Sequence, residues 1–413
     1  MAERAPTGPR LTILVAARDE EARIGATVAE LRVRFPDAEV LVADDGSRDA
    51  TADVAAAAGA RVVRLPRRGK GQALTLAERE AAPGPLLLCD ADLRGDLRPL
   101  LASEADVAIA AFSRRVGGGF GLARAAAHRL IAVSSGFEAR EPLSGQRRLS
   151  ARARAKLFPL AAGFGVESRM TADAVRARLD VEEVELDLEH RATRRDVSGF
   201  LHRGRQLRDI VLAFGPQGEN HRGLRLPLVG WVVGVASPTV APVALLGLAD
   251  DLWSGEERGF RAHLRAGRTT GVLKLAGIPA YALLRTRSLS GALLAALAAN
   301  ALNQLDTRPG RALKAFGLGA LLVRRAPPGA VAAAVLLAPY DLREMAMLGD
   351  SGSNALGAVL GFGSVERFSR RQRWSAIGAL AGLTLLGERR SLGTLIEGTP
   401  LVRTLDALGR QAT

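Results

Sequence analysis

With 413 residues the chain is long enough for two domains, each with its own core. The hydrophobic fraction is 48% but aromatics are only 4%, so Ala, Leu and Val must supply most of the packing. A formal charge of +14 points to phosphates, an anionic membrane surface or nucleic acid, and without zinc-ligand spacing, RNA-binding aromatics or a long Lys/Arg block nucleic acid is excluded.

The first apolar run, residues 11–17, is too short for a signal peptide and ends in Arg18-Asp19-Glu20, so it is expected to be a strand and the N-terminal half to stay in the cytoplasm. Helix is expected at 22–34, strand at 40–43, helix at 50–58, strand at 61–65, helix at 71–80 and a buried strand at 86–89. This alternation is the pattern of β-α-β units around a mostly parallel sheet, and it assigns residues 1–212 to a Rossmann-like α/β domain. The single cysteine, Cys89, excludes an intramolecular disulfide and reads as a small apolar residue of its strand.

From residue 218 to residue 410 the texture changes. Residues 226–249 carry no charge and are long enough to cross a bilayer, and shorter uncharged runs follow at 288–305, 326–340, 351–365 and 374–387. Arg-rich stretches separate them. The expectation is an all-α, multi-span membrane domain that places the chain in the inner, cytoplasmic membrane with its N-terminal domain facing the cytoplasm. Each short run by itself reads equally well as a core helix of an Ala-rich globular domain.

Two acidic turns fall where ligands bind on parallel sheets, beyond the carboxyl ends of strands. Asp44-Asp45-Gly46-Ser47 follows the second strand, and its carboxylates can accept hydrogen bonds from a base or ribose, or simply form an Asx-type turn and helix cap. Asp90-Ala91-Asp92 follows an apolar strand. Two carboxylates at i and i+2 there can converge on a hard divalent cation, which can bridge a diphosphate.

These turns, with residues 13–21 and Gly69-Lys70-Gly71-Gln72-Ala73, resemble family 2 glycosyltransferases of the GT-A fold, nearest the dolichyl-phosphate-mannose-synthase and glucosyl-3-phosphoglycerate-synthase branch. The resemblance implies a nucleotide-sugar donor, with Asp44 or Asp45 at the nucleoside, Lys70 at the diphosphate, and Asp90 and Asp92 on Mg²⁺ or Mn²⁺. It further implies that His190 completes the metal site and that Glu167, in Gly163-Phe164-Gly165-Val166-Glu167, is the catalytic base, with Asp173 and Glu141 as rivals. Pro142-Leu143-Ser144-Gly145-Gln146-Arg147 resembles the acceptor-side loop. The chain departs from the family at Ala17 and Asp19, where Pro and Asn are usual. His128, in an Ala-rich helix, reads as an ordinary helical residue.

Polar clusters interrupt the apolar second half at Asp250-Asp251, at Lys274, at Asn300, Asn303 and Asp306, and at Gly349-Asp350-Ser351-Gly352-Ser353. Together with Asn220-His221-Arg222-Gly223 they resemble the polyprenyl-phosphate sugar-1-phosphate transferases. That resemblance implies a polyprenyl-phosphate lipid as partner, Asp350 on Mg²⁺, and Asp250 and Asp251 in lipid-phosphate activation or metal binding. The half is shorter than those enzymes and lacks their His-rich loop. The whole chain is then expected to be a metal-dependent glycosyltransferase using a UDP- or GDP-sugar donor, fused to a membrane polyprenyl-phosphate sugar-1-phosphate transferase-like domain, in cell-envelope glycan or glycolipid synthesis. Two alternatives are a glycosyltransferase with a small soluble phosphorylated acceptor and an inactive anchor, and a non-catalytic scaffold.

Overall fold

The computed structural model describes residues 11–112, 121–189, 197–253 and 270–410. The chain divides into two compact units, one ending at Gly215 and the other beginning at Pro216.

The first unit is built on a seven-stranded sheet in the order β3-β2-β1-β4-β7-β6-β8. Its strands are β1 (Thr12–Ala17), β2 (Glu39–Asp45), β3 (Arg61–Leu65), β4 (Leu86–Asp90), β6 (Val107–Phe112), β7 (Arg147–Leu149) and β8 (Val181–Leu186). A two-residue β5 (Arg94–Gly95) pairs outside this sheet. Only β7 runs antiparallel to its neighbours, β4 and β6. β1, β2 and β4 are almost unbroken apolar runs, as strands covered on both faces must be.

Successive side chains point to opposite faces, so the strands split their residues between two cores. Ile13, Val15, Val42, Leu87 and Cys89 join one core with Ile24, Val28 and Leu31 of α1 (Glu21–Arg34). Leu14, Leu41, Ala43, Leu86 and Leu88 join the other. There they meet Ala73, Leu74 and Ala77 of α3 (Lys70–Glu78) and Met170 and Ala174 of α7 (Val166–Arg176). The result is a three-layer α/β unit. Its chain runs outward from β1 through β2 to β3, then returns to place β4 on the other side of β1. A crevice must open at that reversal, beyond the carboxyl ends of β1 and β4.

The second unit is a bundle of helices after a short hairpin, Gln217–Glu219 with Arg225–Pro227. Its central helix is Gly349–Arg367, buried along most of its length. Gly357 and Gly361 let the helix Leu289–Leu305 approach closely: a Cβ on Gly357 would fall 2.3 Å from the Ala298 carbonyl oxygen, and one on Gly361 2.4 Å from the Ala295 Cα.

The expectation of a multi-span membrane domain, and with it the inner-membrane location, is corrected here. Among the described residues no helix is long and apolar enough to cross a membrane. The uncharged stretch 226–249 is broken into the end of a strand, a helix Trp231–Ala236, a 3-10 turn Pro238–Val240 and a helix Ala241–Trp253. Pro238 is the cause: it donates no N–H and forces Ser237 out of the helical region, to φ −137° and ψ 85°. The helix Leu289–Leu305 has 17 residues, roughly 26 Å at 1.5 Å per residue, less than the ~30 Å hydrocarbon core. The two longest helices of this unit carry charge: Arg370–Arg389 opens on Arg370, Arg371 and Arg373, and Gly349–Arg367 holds Asp350, Glu366 and Arg367. Absence of charge along the sequence does not make one continuous helix.

Candidate active site

Parallel pairing aligns Ala17 of β1 with Asp44 of β2, and Ala16 with Asp90 of β4. The expected nucleotide and metal carboxylates therefore stand at one edge of the sheet, on either side of β1.

Asp44 accepts from the Ser47 backbone N–H at 3.3 Å and from the Ser47 hydroxyl. Ser47 Oγ in turn accepts from Asp19 N at 3.0 Å, and Asp19 Oδ1 from Arg48 N at 2.8 Å, so the loops after β1 and β2 are laced together. Asp19 holds φ 53°, a left-handed conformation that Asp, like Asn, tolerates better than most residues. Asp45 is buried and accepts from Arg68 N at 2.6 Å and Gly69 N at 2.9 Å. Burial pushes its carboxyl up from the usual range, against those backbone bonds.

Lys70, first residue of α3, follows Gly69 at φ 102°. Its ammonium bridges two carboxylates, Asp90 Oδ1 at 2.5 Å and Glu167 Oε1 at 2.6 Å. Burial opposes the charge on Lys70, but the two carboxylates outweigh it and hold its pKa above the ordinary value. The other oxygen of Asp90 accepts from Gln146 Nε2 at 3.1 Å. Glu167 is 7% exposed, at the first turn of α7.

The two rival bases are engaged elsewhere: Asp173 pairs with Arg169 at 2.7 Å and Glu141 with Arg124 at 3.1 Å. His128 pairs with the exposed Glu138 at 3.1 Å. Cys89 is a buried strand residue whose thiol is pushed up by burial. His190 lies outside the described residues.

Arg147 was not singled out by the sequence reading, although it closes the quoted acceptor-side segment. It is wholly buried on β7. It donates through Nε to the Ser144 carbonyl at 2.8 Å and through Nη1 to Thr171 Oγ1 at 2.9 Å, while Nη2 has no hydrogen-bond partner among the described residues. Burial lowers its pKa to about 10 against the nearby charges of Glu167, Glu183 and Asp90. A period-two reading of residues 147–149 was the available signal, because it buries 147 together with Leu149.

Asp90 and half-buried Asp92 supply hard oxygen donors on one turn. Among the described residues no group of three or more His, Cys, Asp or Glu side chains is arranged to hold a metal ion. Two carboxylates nevertheless suit Mg²⁺, which protein sites commonly bind through one or two carboxylates with substrate phosphates completing the shell.

In the second unit Lys274 contacts Asp250 at 2.7 Å and also Asp350. Asp251 accepts from Asp350 N at 2.8 Å and Ser351 N at 3.0 Å, capping the helix that begins at Gly349. Burial and the neighbouring Asp350 push Asp251 up to about 7. Asp306 is raised by burial and by Asp341, Asp350 and Asp251, so it shares this region. Asn303 accepts from Ser353 Oγ at 3.0 Å, whereas Asn300 turns to Thr384 Oγ1 at 3.1 Å on a neighbouring helix. The sequence reading missed Asp341, buried on the helix Pro328–Leu342.

Residues 12–128 match the family model for glycosyl transferase family 2. No curated protein matches the chain. Among solved structures, glucosyl-3-phosphoglycerate synthase from Mycobacterium tuberculosis in complex with phosphoglyceric acid is 26% identical over 50% of this chain and 78% of its own, with a TM-score of 0.41. The same synthase with Mn²⁺, uridine diphosphate and glucosyl-3-phosphoglycerate is 27% identical with the same coverage and TM-score. A structure described as a mycobacterial protein is 28% identical over 50% of this chain and 73% of its own, with a TM-score of 0.41. The N-terminal unit of this chain is a family 2 glycosyl transferase.

Proposed function

We propose that the N-terminal unit transfers a sugar from a UDP-sugar to a hydroxyl of a small phosphorylated acceptor. The observation that carries this reading is Lys70 between Asp90 and Glu167 at the carboxyl edge of β1 and β4. That position suits a diphosphate, and the family 2 motifs support the donor class.

In this reading Asp44 and Asp45 line the nucleoside end, and Lys70 meets the diphosphate. Asp90 and Asp92, with His190 as a third candidate, hold Mg²⁺ or Mn²⁺. When bound, the cation neutralises the charge that builds on the departing nucleotide. Glu167 takes the proton of the acceptor hydroxyl, and its low exposure keeps water from competing. The net charge of +14 favours a phosphorylated acceptor over a neutral one.

Residues 1–212 would form the transferase and residues 218–410 a companion domain. Sugar-1-phosphate transfer to a membrane lipid is not proposed for that domain, because among the described residues no helix is long and apolar enough to cross a membrane. Asp250 and Asp350 are ion-paired to Lys274 there.

The test is UDP release by the purified full chain, offered several UDP-sugars with Mn²⁺ or Mg²⁺ and a panel of phosphorylated hydroxy acids. Acceptor-dependent UDP release that Asp92→Ala abolishes is the expected result. Release from no donor with any acceptor would sink the reading.

A further inference from the structure

We propose that Lys70 stands in for the divalent cation at Asp90 and is drawn away by the diphosphate of the donor, so that cation and nucleotide bind as one unit. The inference rests on the donor-site reading above and adds an order of events to it.

Three observations carry it. First, both oxygens of Asp90 are engaged: Oδ1 by Lys70 at 2.5 Å and Oδ2 by Gln146 at 3.1 Å, with Gly145 packed against the carboxylate. A cation arriving at Oδ1 meets an ammonium already there. Two positive charges on one carboxylate oxygen stand about 4 Å apart, where they repel.

Second, the side chain of Lys70 is 19% exposed and has a second anionic partner, Glu167. Displaced from Asp90 by a metal alone, the ammonium would lose one of its two carboxylates and gain none. Losing an anionic partner is costly for a largely buried charge. A diphosphate supplies the missing anion, and charge-assisted bonds to phosphate are strong.

Third, Arg147 lies buried near Glu167 and Asp90, with Nη2 unpartnered among the described residues. Glu167 therefore keeps a positive neighbour when Lys70 departs, and it is freed from its ion pair only when the donor is in place. The lysine's four-carbon stem allows that swing, as a short or rigid side chain would not.

The consequence is a coupling between sites, which by linkage is the same in both directions. The experiment is Mn²⁺ binding to the full chain, read from the electron paramagnetic resonance signal of free Mn²⁺, with and without UDP. Wild type is expected to bind Mn²⁺ weakly alone and about 30-fold more tightly with UDP, within the usual range of coupling. Lys70→Met and Lys70→Gln are expected to bind Mn²⁺ alone about tenfold more tightly than wild type, with a smaller gain from UDP, as removing a competing charge requires.

If wild type couples Mn²⁺ to UDP but both cooperatively folded Lys70 variants bind Mn²⁺ alone no better, the stand-in role is overturned while the donor site survives. Equal Mn²⁺ affinity of wild type with and without UDP overturns the stand-in role without any variant. Failure of wild type to take up Mn²⁺ even with UDP overturns the donor-site reading and this inference together.

Discussion

Gly145 lies against the carboxylate of Asp90 so closely that a Cβ on it would fall 2.3 Å from Oδ2. The backbone at this point is what sets the position of the acidic side chain, and Gln146 beside it donates to the same oxygen. Gly145→Ala is therefore expected to push Asp90 aside. A misplacement of about 1 Å costs on the order of 10²-fold in rate. The check is UDP release together with a melting curve: rate should fall far more than stability, and an unchanged rate would show that Asp90 is not held by this contact.

Glu167→Gln keeps the size of the side chain and removes its charge. If Glu167 takes the acceptor proton, turnover should fall by about 10²- to 10⁴-fold, with the donor KM little changed. A loss confined to donor KM would instead assign Glu167 to holding Lys70.

Arg147→Met removes a buried guanidinium that makes hydrogen bonds to Ser144 and Thr171 but leaves Nη2 unpartnered among the described residues. Its loss leaves the buried Ser144 carbonyl and Thr171 hydroxyl without that donor, at about 1–3 kcal/mol each, so the melting temperature should fall. Turnover should fall on the order of tenfold, about 1.4 kcal/mol of barrier, because Glu167 loses a buried positive neighbour. Arg147→Lys should recover part of that loss, and equal loss in both variants would point to packing.

Asp341 gives the second unit a pH dependence whose sign follows from burial. Its carboxyl is pushed up to about 6, mainly by burial, from about 3.9 in an unfolded chain. Between those values the folded state keeps a proton that the unfolded state has lost. The stabilisation is full below about pH 3.9 and is lost as pH rises through about 6. Asp341→Asn should therefore improve relative to wild type as pH goes from 4 to 7 in chemical denaturation of the full chain. A constant difference across that range would contradict the shift.

Arg311 and Asp406 form a buried bidentate pair, Nε to Oδ1 at 3.0 Å and Nη2 to Oδ2 at 2.8 Å, between the helices Arg311–Val323 and Pro400–Ala407. Asp406→Ala strips that guanidinium of its bidentate partner. The expected cost is about 3–5 kcal/mol of stability, measured by denaturant unfolding. A cost below about 1 kcal/mol would be that of an exposed pair and would mean that water reaches the site.

The sequence by itself determined the α/β character of the first unit, because apolar runs of strand length alternating with amphipathic stretches leave few other folds. It also marked Asp44, Asp45, Lys70, Asp90 and Glu167 as chemistry-bearing residues. Only the tertiary structure decided which of these meet. Lys70 and Glu167 are far apart in the chain, and α3 and α7 bring them together by packing on the same face of the sheet. The environment of Arg147 was equally hidden, since burial depends on what β4 and β6 place on either side of β7. In the second unit composition misled. A run without charge satisfies a hydropathy count whether or not its backbone can form one helix, and Pro238 ends the helix that residues 226–249 would have needed. Hydropathy is summed along the chain, whereas helix length is set by local backbone sterics.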